Sequence, residues 1–109
     1  MHYTNRRAAL NDAFRQSFTG GRVMVTRGVA ALHPEVQMNI IYEVRRFDAF
    51  NEDNDPYGEH DFGAVDVDGA GKVFWKIDYY AADMKHGSFD PANPALTSRV
   101  LTVMLAEEY

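Results

Sequence analysis

The sequence predicts an α+β domain, a small antiparallel β-sheet of about three strands covered by about three helices. Three observations predict it. Leu10, Phe14 and Phe18 recur every fourth residue near the N-terminus, which is a helical period. Two runs of alternating apolar residues flank "DGAGK" at residues 68–72, the pattern of a β-hairpin. An apolar stripe near the C-terminus follows an Asn-Pro helix-start signal.

Taken in chain order, "YTNRRAALNDAFRQSFTGG" reads as an amphipathic helix with Thr4 or Asn5 as its cap and Gly20-Gly21 as its stop. "RVMVTRGV" is rich in β-branched residues and flanked by glycine, so it predicts a strand with Val23 and Val25 on one face. The next segment, "HPEVQMNIIYEVRRFDAF", supports two readings. Val36, Met38, Ile40, Tyr42 and Val44 alternate as in a strand, whereas Val36, Ile40, Val44 and Phe47 fit helical spacing. Pro34 followed by Glu35 suits a first helical turn, where the missing N–H costs nothing and a carboxylate complements the dipole. We therefore expect a helix over residues 34–47, with a strand as the alternative.

"DFGAVDVDGAGKVFWKIDYYA" predicts the hairpin, with strands over 62–67 and 73–80. Val65 and Val67 share one face of the first strand; Val73, Trp75, Ile77 and Tyr79 share one face of the second. Last, "NPALTSRVLTVMLAEEY" places Asn93 as a cap, Pro94 at the first helical position and Leu96, Val100, Val103 and Met104 on one stripe. Leu101 and Leu105 widen that stripe, so a largely buried third helix is expected.

At 109 residues, with 46% hydrophobic and 13% aromatic residues, the chain can fill one core, and a single domain over 1–109 is expected. It shows no internal repeat, low-complexity tract or linker. No apolar run approaches the roughly 20 residues that span a bilayer, and the N-terminus lacks a signal-type apolar region, so a soluble cytoplasmic protein without a membrane partner is expected. Cysteine is absent, which excludes disulfides, thiolate nucleophiles, iron–sulfur clusters and cysteine zinc sites.

The net charge of −5 hides a segregation along the chain. Residues 1–46 carry seven arginines against Asp12, Glu35 and Glu43. Residues 47–71 then hold Asp48, Glu52, Asp53, Asp55, Glu59, Asp61, Asp66 and Asp68 with no Lys or Arg at all. Such a run is either a solvated loop or a surface that meets something cationic. Its centre, "NEDNDPYGEHDFG", explains part of itself: Asp55, Pro56 and Gly58 occupy the preferred positions of a type I turn. The simplest role for His60 and Asp61 is to order the loop through bonds to neighbouring groups.

Catalytic and metal patterns mostly fail on spacing. An EF-hand beginning at Asp53 meets Tyr57 at its fifth position and Ala64 where the bidentate Glu belongs. His2, His33, His60 and His86 are scattered, without HExxH or paired-His spacing. A divalent-cation or metal-dependent hydrolase site built from Glu59, His60 and Asp61, with Asp78 added from a distance, is the enzymatic alternative. No GxSxG elbow, GxGxxG or GxxxxGK[ST] loop occurs. No cofactor is expected, and the residues favour a non-enzymatic role. Arg6, Arg7, Arg22, Arg27, Arg45 and Arg46 could form a phosphate-binding patch, but the acidic run would repel a nearby duplex. Trp75, Tyr79 and Tyr80 invite a base-stacking reading, yet Trp75 and Tyr79 fall on the apolar face of their strand.

"RFDAFNEDNDPYGEHDFGAVDVDGAGKVFWKIDYY" with "RVLTVMLAEEY" resembles a domain family of unknown function found in alphaproteobacteria, often on plasmids and prophage-like elements. The resemblance runs from about Asn11 to Tyr109 and rests on "NDPYGEHDFG", "WKIDYY" and "LAEEY". It implies mobile-element biology and no particular chemistry. Combined with the charge segregation, it leads to the expectation of a protein-interaction module that uses Asp48, Glu52, Asp53, Asp55, Tyr57, Glu59 and Asp61 to bind a Lys/Arg-lined protein or complex. In its most concrete form this is an anti-CRISPR-like inhibitor of a nucleic-acid-binding defence complex. Direct nucleic-acid binding through the arginine-rich half is the second alternative.

Overall fold

The structure is a computed structural model that describes residues 5–109, so the candidate cap Thr4 lies outside the described residues. Helix α1 spans Arg6–Ser17, and Asn5 caps it by accepting the Ala8 N–H at 3.2 Å. It stops before the two glycines: Phe18 takes the left-handed conformation (φ 59°) and donates its N–H to the Phe14 carbonyl at 2.7 Å. Strand β1 (Arg22–Val25) leads into a single helical turn, α2 (Arg27–Ala30), and then into α3 (Pro34–Arg45). His33 caps α3, its Nδ1 accepting the Glu35 N–H at 3.1 Å, with Pro34 in the first turn as expected. The helical reading of residues 34–47 therefore holds over all but its last two residues.

Strands β2 (Phe62–Val67) and β3 (Gly71–Tyr80) form the expected antiparallel hairpin, in the register Gly63 opposite Trp75 and Val65 opposite Val73. Gly63 is a packing requirement, since a Cβ there would lie 2.5 Å from the Trp75 indole nitrogen. Gly69, at the turn, combines φ +88° with a close approach to Val36 of α3.

Two elements depart from expectation, the first being the "RVMVTRGV" strand, which ends at Val25 and gives way to the helical turn α2 at Arg27. The second is residues 98–105, which form strand β4 (Ser98–Leu105), not a third long helix. It lies in the middle of the sheet, parallel to β1 and antiparallel to β3, so the order is β1-β4-β3-β2 and the sheet is mixed with four strands. The physical reason is burial on both faces. Arg99, Val100, Leu101, Val103 and Met104 are all buried, and a strand covered on both sides loses the alternation that identifies it in sequence. Asn93 and Pro94 form a turn instead, with the Asn93 side chain accepting the Ala95 N–H at 2.9 Å.

The α+β class stands: among the described residues there are three helices and a small sheet, the third helix being the short α2. The core gathers Phe14, Val29, Ile40 and Val44 from the helices against Val67, Val73, Trp75, Ile77, Leu101 and Val103 from the sheet. A closing 3₁₀ turn, Ala106–Glu108, returns the Glu108 carboxylate to the Thr26 hydroxyl (2.5 Å) and the Gly28 N–H (3.0 Å). These bonds, the Thr26 hydroxyl foremost, hold the Glu108 carboxyl below its ordinary pKa. Among the described residues, no helix is long and apolar enough to cross a membrane.

Candidate functional site

The acidic segment divides into carboxylates turned inward and carboxylates left in solvent. Asp55 belongs to the first group. It accepts the backbone N–H groups of Glu59 (3.1 Å) and His60 (3.3 Å), and its other oxygen lies 3.5 Å from His60 Nε2. Glu59 pairs with Arg7 of α1 at 2.8 Å. Asp61 accepts the Tyr79 hydroxyl at 2.9 Å. Burial is the main reason the Asp61 carboxyl titrates above its usual range, against the stabilising Tyr79 bond, and Glu59 and Asp55 push the same way as burial. The Tyr79 hydroxyl is likewise raised, chiefly by burial.

Behind the loop lies a polar cluster centred on α1. Asn11 is fully buried and satisfied on every side: its Nδ2 donates to the Glu59 carbonyl (3.0 Å) and the Tyr79 hydroxyl (2.7 Å), and its Oδ1 accepts Arg99 Nε at 2.8 Å. Arg99 also reaches the Pro91 carbonyl, and burial lowers its pKa. Asp12 accepts Arg15 Nη2 at 2.9 Å and holds His60 Nδ1 at 3.0 Å. Arg15, 1% exposed, donates from Nη1 to the Val44 and Arg45 carbonyls, capping the C-terminal end of α3 where the helix dipole favours a cation. Its guanidinium sits 5.1 Å from the Trp75 ring centre and 5.6 Å from that of Phe50. Phe50 in turn stacks flat on His60, with ring centres 3.8 Å apart.

His60 thus lies between Asp12 and Asp55, with φ at +57°, a conformation that costs a β-carbon-bearing residue roughly 1–2 kcal/mol and persists only where its surroundings dictate it. The three consecutive ionisable residues do not converge on one point, although the Glu59 and Asp61 carboxyls lie close enough to interact. Glu59 turns to Arg7, His60 to Asp12 and Asp55, and Asp61 to Tyr79. Asp78 is on the opposite face of β3 from Tyr79, paired with Lys76 at 3.2 Å. Among the described residues, no group of three or more His, Asp or Glu is placed to hold a metal ion. Trp75 is fully buried and offers no ring face for base stacking.

Asp48, Glu52, Asp53, Asp66 and Asp68 remain exposed. The first three lie on a loop with Tyr57, which is 82% exposed, and the last two on the hairpin. The loop backbone is closed by its own side chains. Asn51 Oδ1 accepts the N–H groups of Asp53 (2.8 Å) and Asn54 (3.0 Å), while Asn54 Oδ1 accepts Asn51 N–H at 2.9 Å. Asn11, Asp12, Arg15 and Arg99 are absent from the sequence-derived site. For Asn11, Asp12 and Arg15 the signal was available in α1, where "NDAFR" sets three polar residues beside the apolar stripe, but polar residues bordering a stripe ordinarily face water; Arg99, in β4, carried no such signal.

A family model described as "Protein of unknown function (DUF3768)" matches residues 25–108. The chain belongs to this family. The match covers the hairpin, the acidic loop and β4, and begins after α1, which supplies Asn11, Asp12 and Arg15. No curated protein and no solved structure matches the chain significantly.

Proposed function

We propose that this DUF3768 domain is a non-enzymatic interaction module whose acidic loop docks on a Lys/Arg-lined protein surface. One observation carries the reading: Asp48, Glu52, Asp53 and Tyr57 are exposed together on a loop whose backbone is closed by Asn51, Asn54 and Asp55. A loop already fixed loses less conformational freedom on binding, and exposed carboxylates steer a basic partner into contact. Asp55, Glu59, His60 and Asp61 serve this surface indirectly, by ordering the loop from inside. In its most specific form the partner is a nucleic-acid-binding defence complex, and the domain is an anti-CRISPR-like inhibitor from a mobile element.

The test measures association with a purified bacterial CRISPR effector complex by biolayer interferometry at ~50 and ~300 mM salt. The rate is expected to fall with salt. The triple variant Asp48→Lys, Glu52→Lys, Asp53→Lys is expected to abolish binding at unchanged melting temperature, because none of the three side chains is buried. Reversing Arg6 and Arg22 is expected to change little. Loss of binding on arginine reversal alone would move the functional surface to the basic half and favour direct nucleic-acid binding.

A further inference from the structure

Helix α3 is apolar on two sides. Val36, Ile40 and Val44 face the core, which accounts for the helical period, while Met38 and Tyr42 stand 70% and 59% exposed on the outside. This second face is why the segment also alternates like a strand. With Ile41, Gln37, Arg45, Arg46 and Gln16 of α1, Met38 and Tyr42 line an open groove of about 610 Å³, and no carboxylate contributes to it. Exposed apolar side chains gathered in a groove mark a contact surface more often than scattered ones do.

The outer stripe of α3 reads Glu35, Met38, Tyr42, Arg45, a 3-4-3 spacing, which is the seam by which two helices pack along their lengths. It is also polar in one direction. Glu35, exposed and without an ion-pair partner among the described residues, stands at the N-terminal end, and Arg45 and Arg46 stand at the C-terminal end. A parallel copy of the helix would set Glu35 against Glu35 and Arg45 against Arg45. An antiparallel copy in the register that faces Met38 with Tyr42 brings Arg45 opposite Glu35, and symmetry repeats both pairs.

We propose that the outer face of α3 is the contact through which two copies of this chain associate, antiparallel about a two-fold axis that passes midway between Met38 and Tyr42. The occupant of the groove is the Met38–Tyr42 stripe of the second copy, selected by the charge complementarity of Glu35 with Arg45. Because α3 has only three turns, the contact is small, and dimerisation is concentration-dependent.

Sedimentation equilibrium of the full chain from ~10 μM to ~1 mM tests this, a range suited to interfaces at the small end of the size scale. A monomer–dimer equilibrium is expected inside that range. Met38→Glu, at a side chain that the fold leaves outside, is expected to weaken association at least ~10-fold, equivalent to ~1.4 kcal/mol, with unchanged far-ultraviolet circular dichroism. Glu35→Arg is expected to weaken it as well, and Glu35→Arg combined with Arg45→Glu to restore it. A chain that stays monomeric throughout, a dimer indifferent to Met38→Glu, or a charge swap that fails to rescue would each overturn the proposal.

Discussion

Replacing Asp12 by Ala tests whether the polar cluster behind the acidic loop works as one unit. The carboxylate is buried between Arg15 Nη2 at 2.9 Å and His60 Nδ1 at 3.0 Å. Removing it leaves Arg15 a buried cation with no anion among the described residues, and breaking a buried pair from one side costs about 3–5 kcal/mol. Arg15 keeps the Val44 and Arg45 carbonyls and two aromatic ring faces, which places the expected loss near the lower end, about 3 kcal/mol. Against a total of roughly 5–15 kcal/mol for a domain this loss is large, and urea unfolding should show a lower midpoint at unchanged slope. Exchange of the Glu59 and His60 amide hydrogens should accelerate more than exchange in β3, since both amides donate to Asp55, which faces the loosened His60. Adding Arg15→Met removes the orphaned charge, so the double variant should lose less stability than Asp12→Ala alone. A single-variant loss below ~1 kcal/mol, or strictly additive losses, would show that Asp12 and Arg15 are not a coupled buried pair.

Two further outcomes follow from single contacts. Gly63→Ala should destabilise by about 1–3 kcal/mol and shift Trp75 fluorescence, because the added carbon lies 2.5 Å from the indole nitrogen. Asp61→Asn should alter the pH profile of stability. The folded-state pKa of Asp61 is raised above the ordinary 3.8, mainly by burial, so the folded chain binds its proton more tightly than the unfolded chain does. Its contribution is fully present below 3.8 and is lost as pH rises through the folded value, so the stability difference in favour of the Asp61→Asn variant should grow over that window and level off above it. A flat difference in thermal scans from acid to neutral pH would show that Asp61 is not desolvated.

Local chemistry made much of the fold legible. The Asn5 cap, the Pro34 start and the "DGAGK" hairpin each depend on residues within a few positions of one another, and the structure has all three. The Asp55 turn belongs with them, since its carboxylate reaches the amides of Glu59 and His60, a few positions on. Segment 98–105 misleads because its helical stripe and its strand faces use the same apolar residues, and a strand buried on both sides carries no period of its own.

The capped helices, the hairpin and the concentration of negative charge after residue 46 are set by neighbours in the chain, so they are legible from residue order. Long-range packing set the place of β4 in the middle of the sheet, the inward turn of Glu59 and Asp61, and the anchoring of the loop by Asn11, Asp12 and Arg15. Those outcomes depend on contacts between distant segments, such as Asp61 with Tyr79, 18 residues apart, and Asn11 with Arg99, 88 apart. A buried polar group needs a partner wherever the chain can bring one, and sequence spacing carries no record of which distant partner that will be.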